Sequence, residues 1–141
     1  MSSPIPVKDK LIVAIGYALP IVFPIPLFTI LFVFIYYYFL GDESRFVHHH
    51  LKQNFNVVLS YHLYMVVLLL VIFLFSIFEN VTAIIMAYIP FLGLLVAMGG
   101  FFSFFILILS SFILIGVLIV LIILAACGKW TRVPLIIRCI K

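Results

Sequence analysis

FFSFFILILSSFILIGVLIVLIILAA, residues 101–126, carries no charged side chain. About 20 apolar residues rising ~1.5 Å each cross the ~30 Å hydrocarbon of a bilayer, so this stretch reads as a membrane-spanning helix. The surrounding chain has the same character, with uncharged runs from Leu11 to Gly41, Gln53 to Phe78 and Asn80 to Gly128. Of 141 residues 68% are hydrophobic and 9% charged, and the mean hydropathy is +1.48. A water-soluble domain of this length needs far more polar surface. The composition therefore excludes a soluble enzyme or a nucleic-acid-binding module and implies an all-α integral membrane protein.

Proline and glycine divide the runs. Pro20, Pro24 and Pro26 interrupt the first, which predicts a short helix from about Lys8 to Leu19 and a second from Pro24 or Pro26 to about Leu40, joined as a Pro-broken hairpin. Gly41-Asp42-Glu43-Ser44 ends that hairpin, with Asp42 or Ser44 able to cap a third helix reaching Phe78. Tyr36, Tyr37 and Tyr38 form an interfacial aromatic belt just before it. The last run is too long for one crossing, and Gly99-Gly100 is its expected break. Lys8, Lys10, Arg45, Lys52, Lys129, Arg132, Arg138 and Lys141 all favour the cytoplasmic side, so an even number of crossings is preferred. The expected architecture is one transmembrane helical domain over residues 1–141, with about four spans. Both ends are cytoplasmic, and residues 82–98 form a re-entrant or interfacial piece. Ser110, Ser111 and Gly116 are expected to let the last span pack closely on a neighbour.

Polar residues inside the apolar runs are few. His49, Gln53, Asn56, Ser60 and Tyr64 recur every three or four residues and share one helix face. This stripe is either a packing seam between helices or a hydrophilic groove lining a path. The imidazoles of His48, His49 and His50 project about 100° apart on a helix, so they do not converge on one metal ion. His62 is a proton-transfer candidate or, more simply, a neutral hydrogen-bonded imidazole. Asp42, Glu43, Arg45, Lys52, Arg132 and Arg138 either form a charge cluster that joins the loop before the third helix to the tail or are simply solvated; both readings stand at this point. No nucleophile, phosphate-loop or metal-ligand motif is present in the sequence, and no catalytic residue, metal or cofactor is expected.

The stretch GDESRFVHHHLKQNFN, residues 41–56, resembles the Asp-Glu-Ser-x-Phe-Val-x-x-His-x-Lys-Gln-x-x-Asn signature of a family of small bacterial membrane proteins of unknown function. The tail GKWTRVPLIIRCIK, residues 128–141, is similar to the same family's ending. That family is distantly similar to the twenty-kilodalton translocon subunit of the chloroplast inner envelope and to magnetosome-membrane proteins. The resemblance implies a four-helix topology and singles out Asp42, His50, Lys52, Gln53, Asn56, Gly128, Arg132, Pro134 and Arg138 as motif positions. His48, His49 and the long apolar segment near residues 82–100 depart from the pattern.

Two functional expectations follow. One is a non-enzymatic accessory or scaffold subunit of a larger complex in the bacterial inner membrane, with the lipid bilayer and other integral membrane proteins as partners. The other is a component of a protein-translocation or permeation channel, with homo-oligomerisation allowed. Nucleic acid is not an expected partner.

Overall fold

The computed structural model describes residues 5–77, 79–134 and 136–139. Lys141, the expected helix end at Phe78, and Leu135 and Ile140 of the tail motif lie outside them. Five helices occur among the described residues: α1 (Val7–Val22), α2 (Phe28–Leu40), α3 (Arg45–Ile77), α4 (Glu79–Tyr88) and α5 (Pro90–Ala126). The described chain contains no strand.

Two of these helices, not four, are long and apolar enough to cross a membrane: α3 over Arg45–Leu74 and α5 over Pro90–Ala126. Only 17% and 11% of their most apolar windows are buried, unlike the core helix of a water-soluble protein. α1 and α2 fall short because 16 and 13 residues rise only about 24 Å and about 20 Å. The break in the last run also differs from expectation. Helix α5 continues through Gly99-Gly100, and the interruption comes at Ile89, just before Pro90. Glycine keeps its N–H and is common in apolar helices, whereas proline removes a donor. Residues 82–98 are accordingly helical on both sides of that proline, in α4 and the start of α5.

The chain divides into two compact units, Met1–His62 with Leu114–Lys141, and Leu63–Ile113. In the first, Val13 and Tyr17 of α1, Val47 and Leu51 of α3, and Leu118, Leu121 and Ala125 of α5 form one core. Val33 of α2 packs with Phe55 and Val58 of α3 in a second cluster. Gly16 is where α1 comes closest: a Cβ there would lie 2.5 Å from the Leu51 side chain and 3.3 Å from Tyr36. The Gly16 carbonyl accepts a 2.7 Å hydrogen bond from the Asn54 amide. Tyr36 donates across the α1–α2 hairpin to Ile12 O at 2.9 Å.

A hydroxyl of α2 serves two backbone acceptors beside the prolines. The buried Thr29 hydroxyl reaches Phe23 O at 2.5 Å and Ile25 O at 2.8 Å, which closes the turn between α1 and α2. Leu27 sits in that turn at φ 67°, a left-handed conformation costly for a branched side chain. Ser44 caps α3 by accepting from Val47 N–H at 3.2 Å.

The second unit is built differently. Among its described residues only Gly93 is buried. Ser110 reaches Met65 Sδ at 3.5 Å and Leu107 O at 2.7 Å, and Ser111 reaches Leu107 O at 3.4 Å. In the first unit, the face of α5 at Gly116 is open, since a Cβ there would meet nothing within 4 Å.

Candidate functional site: a polar ladder and a basic cavity

Helix α5 ends at Ala126 in a left-handed glycine cap. Gly128 has φ +72°, its N–H donates to Ala125 O at 2.8 Å, and Lys129 N–H donates to Leu124 O at 3.0 Å. This pattern suits glycine because a Cβ is penalised at positive φ, and it turns the chain off the helix axis. The irregular segment that follows lies along α3.

The polar stripe of α3 holds that segment by its backbone. His49 Nε2 donates to Thr131 O at 2.8 Å. With its amide nitrogen toward the segment, Gln53 donates to the same carbonyl at 2.5 Å and accepts from Val133 N–H at 3.2 Å; the opposite orientation would set like groups against each other. Ser60 Oγ accepts from Ile137 N–H at 2.8 Å and donates to Asn56 O at 2.7 Å. Asn56 Oδ1 accepts from Cys139 N–H at 3.1 Å. Gln53, Asn56 and Ser60 are all buried. Four of the five stripe residues thus form a ladder that satisfies non-helical backbone, a requirement that becomes strict away from water. The fifth, Tyr64, is half exposed and belongs to the second unit.

Beside the ladder is a cavity of about 380 Å³. Helix α3 lines it with His48, His49, Lys52, Gln53 and Asn56, and the tail with Arg132, Val133, Ile136 and Arg138. Five motif positions, Lys52, Gln53, Asn56, Arg132 and Arg138, therefore meet here from two stretches about 80 residues apart. The other four stand outside the cavity. Asp42 and Pro134 are exposed, Gly128 caps α5, and His50 is fully buried. His50 Nδ1 lies 3.1 Å from the Tyr17 hydroxyl, and Phe46 packs on its ring at 4.5 Å.

Among the described residues, no ion pair joins the α2–α3 loop to the tail. The ion pair found among the described residues is Lys8 Nζ to Glu43 Oε2, at 2.6 Å, which ties α1 to the loop. The Glu43 carboxylate holds the exposed Lys8 ammonium above the usual lysine range. Lys52, Arg132 and Arg138 have no carboxylate partner among the described residues. His62 donates from Nδ1 to Val58 O at 2.8 Å, one turn back on its own helix.

The fully buried Asn54 escaped the sequence reading. It lies four residues after His50, so the two form a second polar row of α3 that faces α1 through Gly16 and Tyr17. Its signal was an amide in an apolar run opposite a glycine. Comparison of the chain with family models, curated proteins and solved structures finds no match.

Proposed function

We propose that this protein is a non-enzymatic accessory or scaffold subunit of a larger complex in the bacterial cytoplasmic membrane. The observation that carries the reading is the occupied stripe. A permeation path needs its polar lining open to whatever passes, whereas His49, Gln53, Asn56 and Ser60 are engaged by the protein's own backbone. The apolar surface left exposed on α3, α4 and α5 suits lipid and the helices of other membrane proteins, where close packing drives association. With α3 and α5 as the two crossings, the basic residues near both ends of the sequence come to one side, the cytoplasmic one by the positive-inside rule.

The cavity favours a second reading, a permeation or translocation component, because His49, Gln53 and Asn56 also form part of its wall. Gentle extraction of the natively expressed protein, native-gel separation and mass spectrometry separate the two. Other membrane proteins co-purifying at fixed stoichiometry are expected. Homo-oligomers alone, with cysteines introduced along the His49–Tyr64 face open to aqueous reagents, would overturn the subunit reading in favour of a channel.

A further inference from the structure

We infer that the basic cavity is a binding site for a phosphate-ester anion, of the kind carried by the headgroup of an acidic phospholipid. Lys52 from α3 and Arg132 and Arg138 from the tail converge on one concave space of about 380 Å³, at the small end of the roughly 300–1,000 Å³ typical of ligand sites. None of the three has a carboxylate partner among the described residues, so the cavity gathers cationic charge without internal compensation. Concave walls of one sign focus the field on a counter-ion. Two guanidinium forks and one ammonium match a tetrahedral phosphate oxyanion, which takes paired N–H donors from arginine and a point charge from lysine.

The remaining lining points to an amphiphile. Val133 and Ile136 give the cavity an apolar wall, and α3 leads from Asn56 into an uncharged run. Basic pockets at a cytoplasmic membrane face are suited to acidic headgroups. The tail is held by its backbone through the ladder, which leaves the side chains of Arg132 and Arg138 available to a ligand. This inference goes beyond the subunit reading and does not depend on it.

The test uses the full-length protein in nanodiscs. One arm compares phosphatidylglycerol-containing with pure phosphatidylcholine bilayers at equal salt. The other adds inorganic phosphate to the phosphatidylcholine discs. Native mass spectrometry reads retained lipid, and hydrogen exchange over residues 132–138 reads occupancy. Wild type should retain phosphatidylglycerol roughly tenfold or more over phosphatidylcholine. The preference should vanish in K52Q/R132Q/R138Q but persist in K10Q/R45Q/K129Q, which removes the same charge outside the cavity. Protection by inorganic phosphate alone, lost in the same cavity variant, would support the site with a soluble anion as its source. Equal losses in both triple variants would reduce the effect to general surface charge and overturn the proposal, as would no preference and no protection in wild type. Circular dichroism of each variant separates loss of binding from loss of fold.

Discussion

The two compact units use their residues in opposite ways. The first, Met1–His62 with Leu114–Lys141, holds all eight lysines and arginines of the sequence. It also has an internal apolar core and a set of buried polar groups, of which Thr29, Gln53, Asn54, Asn56 and Ser60 are tied to particular backbone atoms. In the second, Leu63–Ile113, Glu79 is the single charged residue in that stretch of the sequence and Gly93 the single buried one among those described. The first unit is thus specified by packing and polar matching, and the second by hydrophobicity. The lesson concerns tolerance: one unit should be sensitive to small changes of shape, and the other chiefly to charge.

The largest effect should come from a charge in the second unit. Ile108, midway along α5 and 43% exposed, becomes unfavourable in lipid by about 2.5–3.5 kcal/mol as Ile108→Lys, measured as loss of membrane insertion. Gly16→Val should rank next, destabilising by about 1–3 kcal/mol, because its side chain meets Leu51 and Tyr36; thermal unfolding in detergent reads it. Ser60→Ala removes the acceptor of Ile137 N–H and should cost about 1 kcal/mol, seen as faster amide exchange in the tail. The smallest effect is expected for Ile113→Val, 57% exposed in the second unit, at under about 0.5 kcal/mol. An Ile113→Val as costly as Gly16→Val would break the contrast between the units.

The sequence showed the architecture unevenly, and the reasons are physical. The stripe from His49 to Ser60 was legible because helical spacing puts polar side chains on one face. Its occupant was not, because Thr131, Val133, Ile137 and Cys139 are held by backbone atoms that side-chain patterns do not record. Hydropathy identified α3 and α5, but it counted α1 and α2 as crossings although each is too short once the prolines have taken their share of the chain. Gly99-Gly100 resembled a break and Pro90 was the real one, because an apolar helix loses no hydrogen bond at glycine. The cavity was half legible: its cations were recognised as belonging to one surface, but ion pairs with Asp42 and Glu43 were weighed for them, while Glu43 turns to Lys8 instead.

Within the first unit, the α3 ladder holds the tail against α3 by its backbone. Residue-resolved hydrogen exchange on the full-length protein in lipid nanodiscs tests it most directly, by following the amides of Val133, Ile137 and Cys139. The account predicts slow exchange at all three. Ser60→Ala should release Ile137, and Asn56→Leu should release Cys139. Exchange of these amides in the wild-type protein at the rate of an unstructured peptide would contradict the account.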